Sequence, residues 1–187
     1  FLVLRWINAI RYPQPSFDDC FEAWEYFAEN ACFSRVEKLL QKHFGKNAAK
    51  IRHIGSTAVA GLIAKPTVDI LLEVDEKSDV DMIRQLAIEC GYSVMAETTV
   101  PEYQLDLCKG YTPLGFAEKV FHLHIRHLGD WDEPVFCEYL KQHPDKAKEY
   151  AALKTKLQKQ FKHDRDAYTE AKGEFIRKCV KAARNIK

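Results

Sequence analysis

The sequence contains no Cys-x-x-Cys pair, no long apolar run and no excess of either charge. Its six cysteines are widely spread, which fits reduced thiols in the cytosol better than a disulfide scaffold. The apolar start Phe1-Leu2-Val3-Leu4 is interrupted by Arg5 and is too short for a signal peptide or a spanning helix. Lys plus Arg (28) nearly balances Asp plus Glu (27), so no overall field attracts a polyanion. We therefore expect a cytoplasmic protein that binds neither long nucleic acid nor membrane.

The length of 187 residues suits one domain that buries a sizeable core. Alternating apolar and polar residues predict strands in the middle of the chain, and helical stripes precede and follow them. The predicted fold is α+β, a mixed β-sheet flanked by helices with C-terminal helices packed on the domain. We expect an N-terminal arm and helix over residues 1–50, the sheet core over 51–130 and the C-terminal helices over 131–187.

Capping residues and glycines mark several predicted boundaries. Ser16 is placed to cap one long first helix, or two helices in line, ending near Gly45, and Ser78 with Asp81 is placed to cap a helix that stops at Gly91. The segment from Gly110 to Glu118 is predicted to be a loop. After it, a strand is expected over Val120 to His127.

The C-terminal third is predicted to be helical. A lysine-rich helix that starts at Pro144 has one apolar stripe, and its lysines are interpreted as a solvated face. Asp164 or Asp166 is expected to cap a last helix, with Lys172 on or beside its apolar side. The whole sequence contains no internal repeat, no low-complexity tract and no linker longer than a loop.

The central stretch His53 to Asp75 carries the clearest functional pattern. Gly55-Ser56 before a helix start would free backbone N–H groups and a hydroxyl for an anion. The spacer up to Asp69 has room for a helix of about two turns. After it, one strand face is apolar and the other carries acids. The apolar face is Val68, Ile70, Leu72 and Val74; the other is Thr67, Asp69, Leu71, Glu73 and Asp75.

These residues resemble two sets of proteins. Gly55-Ser56, the spacer and Asp69 resemble the signature of polymerase-beta-type nucleotidyltransferases. The longer stretch, His53-Ile54-Gly55-Ser56-Thr57-Ala58-Val59 with Ala64-Lys65-Pro66 and Asp69-Ile70-Leu71, resembles the GrpB family. Further similar segments extend to about Ile176 and include Phe121-His122-Leu123-His124 and Asp164-Arg165-Asp166-Ala167-Tyr168. The resemblance implies a fold that binds a nucleoside triphosphate and a divalent metal.

The resemblance also implies roles for the acidic strand. Asp69 is the expected principal metal ligand, and Glu73 or His124 is a candidate acceptor of the substrate's proton. Glu73 lies two strand repeats, about 13 Å, beyond Asp69, so one ion cannot be held by both without a bend. In the superfamily the second acid stands two residues after the first, where this sequence has Leu71. Either other residues compensate for that acid or transfer is weakened.

His122 and His124 alternate onto one face of their predicted strand, so both imidazoles can converge on one ion or on a phosphate. The resemblance places them near Asp69, which implies a metal set of Asp69, His122 and His124. Such a set suits Mn²⁺, Fe²⁺ or Zn²⁺ better than Mg²⁺. We expect Mg²⁺ or Mn²⁺ as the cofactor, with Zn²⁺ as an alternative; without Asp69 nearby, the histidines would be ordinary polar-face residues.

The predicted phosphate ligands surround the Gly-Ser turn. Ser56 can hydrogen-bond a β- or γ-phosphate, while Thr57 either does the same or caps the next helix. Lys65 is held extended by Pro66 and is either a partner for triphosphate charge or a surface lysine. Lys172 either reaches the cleft or extends to solvent. The predicted set is Gly55, Ser56, Thr57, Lys65 and Lys172.

Three hypotheses follow from this pattern. The first is a metal-dependent enzyme that moves a nucleoside monophosphate from a nucleoside triphosphate to a small molecule or protein. The second, motivated by Leu71, is a nucleotide- or metal-binding module that does not transfer. The third is a metal-dependent hydrolase that uses Asp69, His122 and His124.

Overall fold

The computed structural model describes residues 31–65, 67–112 and 115–185. Its elements in chain order are α1 (Ala31–Phe44), β1 (Lys50–Ile54), β2 (Thr67–Val74), α2 (Val80–Glu89), β3 (Ser93–Thr98), β4 (Gln104–Thr112), β5 (Gly115–His127), α3 (Asp132–Gln142), α4 (Pro144–Gln160), α5 (Arg165–Ala171) and α6 (Gly173–Asn185). Each helix described is either too short or too polar to cross a lipid bilayer.

The five strands form one mixed sheet in the order β1-β2-β5-β4-β3. β2 and β5 are parallel neighbours at the centre, and the other pairs are antiparallel. The predicted α+β fold with a mixed sheet is confirmed. Residues that pair in register across β2 and β5 project from the same face of the sheet.

One face of the sheet builds the main hydrophobic core with α1 and α2. The alternation predicted for β2 is observed, since Ile70, Leu72 and Val74 are fully buried in this core. Leu40 and Phe44 of α1 pack there with residues of α2, β4 and β5. Burial of each large apolar side chain contributes about 1.5–3 kcal/mol. This core leaves the opposite face of β2 and β5 available for polar residues.

A second cluster packs the segment after β1 against the C-terminal helices. Val59 and Leu62 are buried against Cys137 and Leu140 of α3 and Tyr150 of α4. The predicted packing of the C-terminal helices on the domain is therefore observed. This packing holds α4 beside the Gly-Ser turn.

The helix predicted between Ser56 and Asp69 is absent. A single 3₁₀ turn spans Ser56–Ala58, and Gly61 then adopts a left-handed conformation with φ of 72°. Val59 and Leu62 on either side are anchored in the second cluster, which draws the segment away from a helical path. The prediction of two helical turns here was wrong because tertiary burial outweighed local propensity.

The loop predicted over Gly110 to Glu118 is also wrong. β4 continues to Thr112 and β5 begins at Gly115, so both strands extend past the predicted boundaries. The register shifts between Lys109 and Tyr111, and Gly110 between them has φ of 100°. A Cβ on Gly110 would collide with the carbonyl oxygen of Lys119. The glycine therefore marks a β-bulge and not the end of the strand.

Two helix boundaries differ from the prediction. Asp79, not Ser78, caps α2, because its side chain accepts from the backbone N–H groups of Asp81 and Met82. Asp164 caps α5 as expected, but Lys172 separates α5 from α6 where one helix was predicted. The predicted cap at Ser16 lies outside the described residues.

Candidate functional site

Asp69 and His122 form the centre of the candidate site. They lie opposite each other in the parallel register of β2 and β5. His122 Nδ1 is 3.1 Å from Asp69 Oδ1, and its Nε2 is 3.0 Å from the hydroxyl of Tyr111. The Tyr111 ring also stacks on the imidazole of His122, with centroids 6.0 Å apart. Both ring nitrogens are therefore engaged, and the orientation of the imidazole is set.

His124 approaches the same carboxylate from one strand repeat away. Its Nε2 is 4.0 Å from Asp69 Oδ1, and its Nδ1 is 2.8 Å from Asp106 Oδ1. Arg126 Nη2 donates to the same Asp106 oxygen at 2.6 Å. Asp106 and Arg126 are buried, so they hold the imidazole rigidly with its Nε2 toward Asp69.

The site is electrostatically coupled. Burial by itself raises the pKa of Asp69, but hydrogen bonds and charge from His122 and His124 outweigh burial and hold that pKa well below its usual range. Burial lowers the pKa of His124, whereas Asp106 and then Asp69 raise it to about 9. Without another cation in the site, His124 therefore carries a proton at neutral pH.

Asp69, His122 and His124 can offer one ligand atom each to a single ion. The three atoms lie within 4.8 Å of one another. Metal–ligand bonds of about 2.0–2.2 Å leave neighbouring ligand atoms about 3 Å or more apart, so small adjustments complete a site. Two imidazoles and one carboxylate suit Mn²⁺, Fe²⁺ or Zn²⁺. The structure brings together the three residues predicted as metal ligands.

Gly55 is required beside the Asp69 carboxylate. Its φ is 72°, and a Cβ built on it would collide with Asp69 Oδ2. The glycine therefore lets the carboxylate approach the backbone closely. The sequence predicts that Gly55 makes room for an anion. In the structure, the space that its missing side chain leaves is next to Asp69.

A small cavity of about 170 Å³ opens beside these residues. It is lined by six of the predicted site residues and by further residues from the loop after β1, from β2 and from the C-terminal helices. The predicted lining residues are Ser56, Thr57, Lys65, Asp69, His122 and Lys172; the other lining residues include Lys154, Tyr168 and Thr169. Two of these lysines approach the ring of Tyr168. The Nζ atoms of Lys65 and Lys172 lie 5.9 Å and 4.3 Å from its centroid.

Lys154 was missed by the sequence analysis. It is 3% exposed, and its Nζ donates to Ser56 Oγ at 3.0 Å and to the carbonyl of Ile63. The sequence pattern predicts a solvated face for the lysines of α4, and this prediction is wrong for Lys154. Its position in the sequence indicates burial, because Lys154 lies four residues after Tyr150 and three before Leu157, within the apolar stripe.

Thr57 is held by His53 and does not cap a helix. His53 Nε2 is 2.8 Å from Thr57 Oγ1, and Phe33 stacks on the imidazole. Burial lowers the pKa of His53 to about 4, so the ring is neutral at physiological pH. Thr57 itself is 8% exposed, and it presents only a small surface to the cavity.

The structure does not bring Glu73 into the cavity. Its side chain is 1% exposed, and its Oε2 lies 2.5 Å from Arg52 Nη2 of β1. Leu71, between Glu73 and Asp69, is fully buried. The polar face predicted for β2 is therefore interrupted, and only Asp69 of these three residues reaches the site.

Comparison with known proteins agrees with the family resemblance of the central motif. The GrpB protein family matches residues 20–182. The chain belongs to the GrpB family. Placement of this family in the nucleotidyltransferase superfamily is consistent with the match, and the resemblance noted from the sequence is confirmed.

Relatives and a solved structure support the assignment. "Glutamate-rich protein GrpB" of Alkalihalophilus pseudofirmus is 30% identical over 151 residues, which cover 77% of this chain and 84% of that protein. A UPF0157 protein of Pseudomonas aeruginosa is 32% identical, over 81% of this chain and 69% of that protein. The crystal structure of conserved protein GrpB from Enterococcus faecalis has a TM-score of 0.69 at 31% identity, covering 86% of this chain and 92% of that chain.

Gly55→Ala should displace the Asp69 carboxylate and lower the pKa of His124, because Asp69 helps to raise it. Gly61→Ala is the matched control, since Gly61 has the same φ of 72° but no atom within 4 Å of an added Cβ. Both variants carry a left-handed backbone cost of about 1–2 kcal/mol. NMR titration of the imidazoles measures the difference. If the pKa of His124 shifts equally in both variants, the added Cβ at position 55 does not displace the Asp69 carboxylate.

Glu73→Gln should destabilise the fold by about 1–3 kcal/mol, because a buried partner of Arg52 loses its charge. Glu76→Gln, at an exposed position, is the control and should stay within about 0.5 kcal/mol of the parent. Urea unfolding at neutral pH measures both. Unchanged stability of Glu73→Gln would show that the buried carboxylate is not held for structural reasons.

Proposed function

We propose that this protein is a metal-dependent nucleotidyltransferase that moves a nucleoside monophosphate from a nucleoside triphosphate to a small-molecule or protein acceptor. One observation carries the proposal: a convergent set of Asp69, His122 and His124 adjoins a cavity that contains Ser56 and lysines. A metal ligand set next to an anion cavity is the arrangement that phosphoryl chemistry requires. Placement of the GrpB family in the nucleotidyltransferase superfamily is consistent with the same reaction class.

In the proposed reaction an acceptor hydroxyl oxygen attacks the α-phosphorus, the bond from that phosphorus to the bridging oxygen breaks, and pyrophosphate leaves, while the proton of the hydroxyl passes to solvent. Asp69, His122 and His124 would hold a divalent cation, with Mn²⁺ the first choice for this ligand set. A bound cation would withdraw charge from the phosphate oxygens. Ser56, Thr57, Lys65 and Lys172 line the cavity and would hold the β- and γ-phosphates.

Both candidate proton acceptors, Glu73 and His124, contact other charged side chains. Glu73 pairs with Arg52 outside the cavity, so it is not positioned to accept the substrate's proton. His124 uses Nδ1 on Asp106, which leaves Nε2 for either a cation or a proton. We therefore propose His124 as a metal ligand whose proton is lost when the cation binds.

A second candidate function is a binding module that holds nucleotide and metal without transferring. The observation that favours it is Leu71, which is 0% exposed at the position where the superfamily has its second acid. A two-metal reaction uses carboxylates that bridge both ions, and Asp69 alone cannot supply that bridge.

We also propose a reducing, cytosolic location and a substrate that is not a long nucleic acid. Cys90, Cys108, Cys137 and Cys179 are free thiols in the part of the chain that the structure describes. The charges of the chain nearly cancel, with a formal net charge of +1. Both features fit a cytosolic protein that binds a small anion.

Mn²⁺ should bind the parent protein more tightly as pH rises, by up to about tenfold per unit until about pH 9. The physical reason is that His124, with its pKa near 9, must release its proton to the solvent before Nε2 can bind a cation. Asp69→Asn should greatly weaken binding, whereas Asp75→Asn, exposed beyond the end of the same strand, should leave it unchanged. Electron paramagnetic resonance of free Mn²⁺ measures the affinity. A pH-independent affinity would exclude His124 from the ligand set.

The parent protein with Mn²⁺ should release pyrophosphate from at least one of the four nucleoside triphosphates when acceptors from a cell extract are present. Label from an α-³²P-labelled nucleotide should then appear on a small molecule or protein. Asp69→Asn should reduce release to background because the central ligand is lost, and Asp75→Asn is again the control. Binding of metal and nucleotide without release in any extract would favour the binding module.

A further inference from the structure

Lys154 is a buried lysine without a carboxylate partner in the part of the chain that the structure describes. Its side chain contacts a hydroxyl, a carbonyl and the ring of Tyr150, whose centroid lies 4.9 Å from Nζ. Neutral dipoles compensate a buried charge only in part, because removing an ion from water costs several kcal/mol. A negative group bound beside Lys154 would remove that cost.

The surrounding cavity has an excess of positive groups. Lys65 and Lys172 line it together with Lys154, and both approach the ring of Tyr168. Among the lining residues within the described ranges, Asp69 is the sole carboxylate, and it is engaged by His122. Three lysines and one carboxylate line the cavity, and such a set favours a ligand with more than one negative charge.

The ionisation of Lys154 points the same way. Burial, followed by repulsion from the charge of Lys172, lowers the pKa of Lys154 to about 7. An anion between these two lysines would turn the repulsion into two attractions. The lysine is therefore placed to gain stabilisation from a bound anion.

The size of the cavity limits what it can hold. Sites for drug-sized ligands have volumes of about 300–1,000 Å³, whereas this cavity has about 170 Å³. Phosphate groups fit such a volume, and a whole nucleotide does not. The nucleoside of any nucleotide substrate would lie outside the cavity.

We propose that Lys154 is a direct phosphate ligand and that the cavity takes the diphosphate end of its substrate between Lys154, Lys172 and Ser56. This inference rests on the proposed function, since it specifies the ligand of the same cavity. It adds that the diphosphate, and not the base, supplies most of the binding. Lys154 also links α4 to the Gly-Ser turn through Ser56, so the helical layer takes part in recognition.

The test is calorimetric titration of the full chain with inorganic pyrophosphate in the presence of EDTA. The parent should bind pyrophosphate more tightly than inorganic phosphate and about as tightly as ADP. Lys154→Met should weaken binding by about tenfold or more, the loss typical of a hydrogen bond to a charged group. Lys156→Met removes an exposed lysine two residues along the same helix and should leave the affinity unchanged.

Thermal unfolding separates a binding role from a structural role. Lys154→Met replaces a buried amine that has no carboxylate partner with an apolar side chain of similar length, so the Tm should stay the same or rise while affinity falls. Lys154→Gln is the second variant, because it keeps donors for Ser56 and Ile63 but removes the charge. It should lose pyrophosphate affinity as Lys154→Met does.

Two outcomes would overturn the inference: a parent that does not bind pyrophosphate, or a Lys154→Gln variant that binds it as tightly as the parent. Failure of the proposed function is distinguishable from either result. If the protein binds pyrophosphate in EDTA through Lys154 but never transfers a nucleotide, the phosphate site is supported and the proposed transferase activity is contradicted. A protein that binds Mn²⁺ through Asp69 but not pyrophosphate would retain only the metal site.

Discussion

The parallel pairing of β2 and β5 is the constraint on which the candidate site depends. Its register sets Asp69 opposite His122 and Leu71 opposite His124, so one carboxylate meets two imidazoles from the neighbouring strand. A slip of one residue would move both histidines into the apolar core. The buried alternation of Ile70, Leu72, Leu123 and Ile125 prevents that slip, and the core therefore maintains the geometry of the polar face.

Supporting residues restrict the site from three directions. Gly55 admits the Asp69 carboxylate against the turn, Asp106 orients His124 from β4, and Tyr111 orients His122. Lys154 connects the same turn to α4. A site held in this way loses little conformational freedom when a ligand binds, which favours affinity.

Sequence reasoning succeeded where a short-range pattern determines the outcome. Strand parity placed His122 and His124 on one side of β5, and the family resemblance added Asp69 as their neighbour. It failed at Gly110, because a glycine in a bulge and a glycine in a loop look the same in one sequence. It also failed at Lys154, because charge was given more weight than the position of this residue in the apolar stripe.

The sequence by itself determined the family, the α+β class and the identity of the three converging side chains, since motif wording and two-residue alternation are local properties. Tertiary structure alone decided that Glu73 pairs with Arg52, that Leu71 is buried and that Lys154 reaches Ser56. The physical reason is that burial and ion pairing depend on which distant elements meet. Ser56 and Lys154 are 98 residues apart, and nothing in either segment specifies their contact.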